Sequence, residues 1–90
     1  MNTEIVEKTA LEIITEKYPW LLSDNKIEAH QCTNHIAFGG KHHDTYGWLE
    51  LKGVVIIATG ISPYGRSTKE FSNLKDAILF CIKERFHFKK

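Results

Sequence analysis

The sequence predicts an α+β domain in which an antiparallel sheet of three or four strands lies between an N-terminal and a C-terminal helix, in the order α-β-β-β(-β)-α. Three observations predict it. Apolar residues recur at helical spacing near both ends, the period falls to two between Ile27 and Ile61, and the turn residues in that stretch allow two consecutive hairpins. Ninety residues have room for one core, so 1–90 is read as a single compact domain.

From about Thr3 to Tyr18, Val6, Ala10, Leu11, Ile13, Ile14 and Tyr18 share one side of a helical wheel, while Glu4, Lys8, Glu12, Thr15 and Glu16 take the other. Asn2 or Thr3 serves as the N-cap, Glu4 and Glu7 suit the positive end of the helix dipole, and Pro19 stops the helix by pushing Tyr18 out of helical geometry. Trp20, Leu21 and Leu22 follow at once and are expected to fold back as a hydrophobic plug under the domain. Ser23, Asp24 and Asn25 read as a polar turn.

In the first hairpin, Thr33-Asn34 as a two-residue turn sets Cys32 opposite His35, Gln31 opposite Ile36, His30 opposite Ala37 and Ala29 opposite Phe38. Ile27, Ala29, Ile36 and Phe38 then form an apolar face, with Glu28, His30, Cys32 and His35 behind it. An alternative lets Gly39-Gly40 and a loop from Lys41 to Asp44 absorb one strand. In the second hairpin a Lys52-Gly53 turn sets Leu51 opposite Val54, Leu49 opposite Ile56, Trp48 opposite Ile57 and Tyr46 opposite Thr59. The last helix, from about Asn73 to Phe86, carries Leu74, Ala77, Ile78, Cys81, Ile82 and Phe86 on one broad side and is capped by Ser72 or Asn73.

Both faces of the second hairpin are greasy. If the helices cover Leu49, Leu51, Val54 and Ile56, then Tyr46, Trp48, Val55 and Ile57 remain on the other face, where an uncovered apolar patch marks a contact surface for another protein or a second copy of the chain.

Composition narrows the function classes. Twelve Lys+Arg against eleven Asp+Glu give a formal charge of +1, which points neither to a polyanion-coating protein nor to an acidic mimic. Cys32 and Cys81 form no spacing motif and read as reduced thiols. The longest unbroken apolar stretch, Val54 to Ala58, is too short to span a bilayer, and Met1 to Ala10 holds no apolar run of signal length. The expectation is a soluble cytoplasmic protein without a membrane partner.

Several motifs invite chemistry. Gly60-Ile61-Ser62-Pro63-Tyr64-Gly65-Arg66-Ser67 has the two-glycine spacing of a phosphate-binding loop, but Arg66 stands where lysine belongs and the chain has no room for a parallel sheet around it. Pro63 and Gly65 suit a surface turn instead, with Arg66, Ser67, Thr68 and Lys69 free to touch a phosphate or an acidic partner. His30, Cys32, His35, His42 and His43 are dense in metal-ligand types, and the first hairpin would bring His30, Cys32 and His35 to one side with His42 or His43 closing a tetrahedron, in a spacing that matches no zinc module. No sequence context activates a serine or cysteine nucleophile, and the acids are mainly helix-surface residues with lysine neighbours such as Glu4 with Lys8. Neither catalysis nor a cofactor or small-molecule substrate is expected.

The order helix, three antiparallel strands, helix resembles that of the double-stranded-RNA-binding domain, which presents basic residues at the start of its last helix. The resemblance implies nucleic-acid contact through Arg66, Lys69 and Lys75, although the family's lysine-rich cluster is missing here. The favoured expectation is a small non-catalytic interaction module that docks on a protein to regulate or inhibit it, through Tyr46, Trp48, Ile57, Tyr64 and Arg66.

Overall fold

The computed structural model describes residues 2–22, 27–40 and 45–86. The chain forms α1 (Thr3–Lys17), a 3-10 turn (Pro19–Leu22), then β1 (Glu28–Gln31), β2 (Ile36–Gly39), β3 (Thr45–Lys52), β4 (Val55–Ser62) and β5 (Gly65–Phe71), and ends in α2 (Leu74–Phe86). All strands join one antiparallel meander in the order β1-β2-β3-β4-β5. The expected α+β class and element order therefore hold, with one strand more than four. The expected polar turn at Ser23–Asn25 and the loop at Lys41–Asp44 lie outside the described residues.

Both helices start on asparagine. Asn2 Oδ1 accepts the Ile5 N–H at 2.9 Å and Asn73 Oδ1 accepts the Asp76 N–H at 2.8 Å, which satisfies donors that a helix start otherwise leaves open. The apolar sides then pack as the spacing predicts: Val6, Ala10, Ile13 and Ile14 of α1 and Ala77, Ile78, Cys81, Ile82 and Phe86 of α2 are buried in one continuous core with Phe38, Leu49, Ile56 and Ala58 of the sheet. α1 lies against β1 and β2, α2 against β3 and β4. Two glycines admit α2 this closely, since a Cβ on Gly47 would sit 2.9 Å from Cys81 Sγ and one on Gly60 2.8 Å from Glu84 Cβ.

The first hairpin forms in the predicted register, from Gln31 opposite Ile36 to Ala29 opposite Phe38, and the Cys32 N–H donates to the His35 carbonyl at 2.8 Å. The second does not. Its turn is Gly53-Val54, so Lys52 faces Val55 and Leu49 faces Ala58 instead of Ile56. Gly53 has φ 62 and takes the first central position, where a mirror-image hairpin turn needs a residue free of a Cβ. The slip moves pairs by two residues, which by itself changes no side chain's face.

Three further expectations are corrected. Leu51 (53% exposed) and Val54 (90%) sit at the hairpin tip, beyond the helices expected to cover them. Trp20 is 55% exposed and meets Tyr18 edge-on at 5.6 Å, so it is no buried plug; the helix side of the sheet is already filled by α1 and α2. Tyr46 is fully buried, at 0% exposure, because the β2–β3 register jumps: Phe38 faces Gly47 while Gly39 faces Thr45. The extra residue of this bulge is Tyr46, whose ring turns to the helix side against Phe38 and Phe86.

β5 is the strand absent from the sequence expectation. Its residues Gly65 to Glu70 are all exposed, so neither face imposes the apolar alternation by which a strand is recognised. What makes it a strand is pairing along the length of β4, from Ser62 opposite Gly65 to Ile56 opposite Phe71, around the expected Pro63-Tyr64 surface turn.

Candidate interaction surface

Side chains alternate along each strand, and the helices take one set. The other set forms an open sheet face that no described residue covers. Its central row runs across all strands in register: His30, Ala37, Trp48, Thr59, Thr68. A neighbouring row sets Glu50, Ile57 and Glu70 side by side, and Ile61 lies opposite Arg66. Trp48, Val55, Ile57 and Ile61 are half-buried there, whereas Leu49, Ala58 and Ile78 behind them are sealed.

Trp48 is the centre of this face and is braced on two sides. The Arg66 guanidinium reaches across β4 to lie 5.2 Å from the centre of its ring, and the His35 ring sits 5.7 Å away. A cation over an indole face gains from the ring quadrupole and holds both side chains in place without removing them from solvent. The Thr59 and Thr68 hydroxyls meet at 3.1 Å, and Lys52 pairs with Glu50 at 3.6 Å. The result is an open surface with an apolar centre and charged residues around it.

Of the residues expected to bind a partner, Trp48, Ile57 and Arg66 come together on this face. Tyr64, 89% exposed, stands apart at the tip of the β4–β5 turn, where its N–H donates to Ser62 Oγ at 3.2 Å. Tyr46 belongs to the core and leaves the set, for the reason given by the bulge. His35, Thr68 and Glu70 join it. Had the strand after the Pro63-Tyr64 turn been recognised, its alternation would have placed Thr68 and Glu70 beside Arg66.

The residues of the nucleic-acid expectation do not share a face. Arg66 lies over Trp48 on the open side, while Lys69, opposite Ala58, points to the helix side with its ammonium 5.8 Å from the Phe71 ring. Lys75 is exposed in the first turn of α2. The five-stranded meander also departs from the three-stranded order on which the likeness to the double-stranded-RNA-binding domain rests.

Among the described residues, no three His, Cys, Asp or Glu side chains come together to hold a metal ion. His35 is turned onto Trp48, and Cys32 Sγ lies 3.9 Å from the His30 carbonyl oxygen. His42 and His43 lie outside the described residues. The Gly60–Ser67 stretch is the strand-turn-strand of the β4–β5 hairpin, with no helix start to receive a phosphate. Burial pushes the Cys81 thiol up to about 12, with the Glu84 carboxylate adding to the shift. No helix among the described residues is long and apolar enough to cross a membrane. No protein-family model, curated protein or solved structure matches the chain, so its functional interpretation rests on its own geometry.

Proposed function

We propose that the protein is a small non-catalytic interaction module that docks on another protein through the open face of its sheet and thereby regulates or blocks it. The observation that carries this is the half-buried Trp48, held over an uncovered sheet by Arg66 and His35 with Ile57 alongside. Tryptophan and arginine are the residues that most often dominate binding energy, and a pre-braced pair loses little rotamer freedom on docking. Catalysis draws no support from Cys81, a nucleophile type held protonated in the core. The two free cysteines suit a reducing compartment such as the cytoplasm.

The test is affinity capture from the source cell with the wild-type chain and with Ile57→Arg, which adds a charge to the open face without entering the core. A protein retained in near-stoichiometric amount by the wild type and lost by the folded variant supports docking at this face. The same retained proteins with both baits would reject it. Heparin retention that weakens steeply with salt would favour the nucleic-acid alternative through Arg66, Lys69 and Lys75.

A further inference from the structure

We propose that two copies of the chain pair through the outer edge of β5, antiparallel about a two-fold axis at Thr68, and so merge their sheets into one. This does not rest on docking with another protein. Among the described residues β5 pairs with β4 alone, so its second edge faces away from the sheet. The β4–β5 hairpin closes with Ser62 opposite Gly65 around a two-residue turn, and the closing pair of such a hairpin is hydrogen-bonded. Alternation then aims the main-chain groups of Ser67, Lys69 and Phe71 at β4 and those of Arg66, Thr68 and Glu70 outward.

The first hairpin obeys the same rule. Its closing pair is bonded from the Cys32 N–H to the His35 carbonyl, and Ala29 turns its N–H out of the sheet, where Glu7 Oε2 of α1 accepts it at 2.8 Å. At β5, by contrast, no described group bonds the outward main-chain groups of Arg66, Thr68 and Glu70.

Charge selects a second copy as the occupant. Centred on Thr68, antiparallel pairing sets Arg66 opposite Glu70 of the other copy at both ends, within reach once the guanidinium swings from Trp48 to the outer edge, with Ser67 opposite Lys69 and Thr68 opposite itself. No other residue of β5 taken as the centre brings opposite charges together, and a centre at Arg66, Lys69 or Glu70 sets like charges face to face. Access is clear from Arg66 to Glu70, because Ser67 and Lys69 on the helix side of β5 are exposed; α2 sits over Gly47 and Gly60 of β3 and β4 and meets β5 at its end, where the Phe71 and Phe80 rings lie 5.4 Å apart. The two open faces would join edge to edge, each central row continuing from Trp48 through Thr59 and Thr68 into its copy.

Sedimentation of the purified wild-type protein over a concentration series is expected to show a species of twice the 10.4 kDa chain mass that dissociates on dilution. Arg66→Glu and Glu70→Arg each weaken the dimer at least tenfold by facing like charges, and the double reversal restores it. Thr68→Pro, which removes an N–H the monomer does not use, leaves the circular dichroism unchanged and abolishes the dimer. Amide exchange at 66, 68 and 70 slows as concentration rises, while that at 67 and 69 does not change. A wild-type protein that stays at monomer mass throughout, or single reversals that dimerise like the wild type, overturns the proposal; partner capture through Trp48 is read independently of either result.

Discussion

The rings of Tyr46 and Phe86 meet edge to face with centres 4.9 Å apart, which ties the bulge in β3 to the last turn of α2. Without the extra residue at the bulge, Tyr46 would fall on the open face beside Trp48, and α2 would end against an unfilled corner of the core. One inserted residue thus separates two aromatic side chains two positions apart, one into the core and one onto the contact surface.

Tyr46→Ala is therefore expected to destabilise the fold by about 3–5 kcal/mol, the range for truncating a buried aromatic. Tyr64→Ala, at an exposed turn, should stay within about 0.5 kcal/mol of the wild type. Urea unfolding of both variants checks the contrast. Equal losses would mean that the bulge does not bury Tyr46.

Gly47→Ala should cost about 1–3 kcal/mol through overpacking, because the added methyl meets the Thr59 carbonyl oxygen as well as Cys81 Sγ. Gly53→Ala meets no atom nearby and costs only the strain of φ 62, about 1 kcal/mol. A lower melting temperature for Gly53→Ala than for Gly47→Ala would place α2 further from the sheet.

The two thiols should behave differently. Cys32 is partly accessible and Cys81 buried, so a disulfide reagent at pH 8 titrates one thiol in the folded protein and two in denaturant. With the folded Cys81 thiol near 12 and an ordinary thiol at 9.0, the unfolded chain releases its proton first as pH rises. Stability contributed by the neutral thiol is complete below about pH 9 and falls by roughly 1.4 kcal/mol per pH unit from there toward 12. Cys81→Ala should flatten that part of the stability profile, measured by urea midpoints between pH 8 and pH 11.

Arg66→Gln removes the cation from the Trp48 face and should lower stability by no more than about 1 kcal/mol. In a Trp20→Phe background, which leaves Trp48 as the single indole, acrylamide quenching should increase. Unchanged quenching would show that Arg66 does not brace the ring in solution.

Much of this architecture was legible in the residues, for physical reasons that also explain the gaps. Helical spacing located both helices, and Thr33-Asn34 set the first hairpin's register, because burial of one face leaves little freedom. Gly53 lay between two possible turns, and a shift of two residues costs no change of face, so Trp48 and Ile57 could be assigned to the open side while their cross-strand neighbours could not. Tyr46 could not be assigned at all from strict alternation, since a bulge breaks the parity on which that inference depends. β5 lacks apolar alternation because both its faces are wet; only the turn residues before it gave notice, and with it went Thr68 and Glu70.

The hydrogen bond from the Ala29 N–H to Glu7 gives the meander unlike flanks among the described residues: a carboxylate caps an outward N–H of β1, and none caps those of β5. A protein with a single adhesive border can form only a finite assembly, since each association uses up the border that made it. Replacing Glu7 by alanine would leave the Ala29 N–H without its carboxylate while α1 still packs against β1, so the asymmetry of the two borders rests on the helix as well as on the charge.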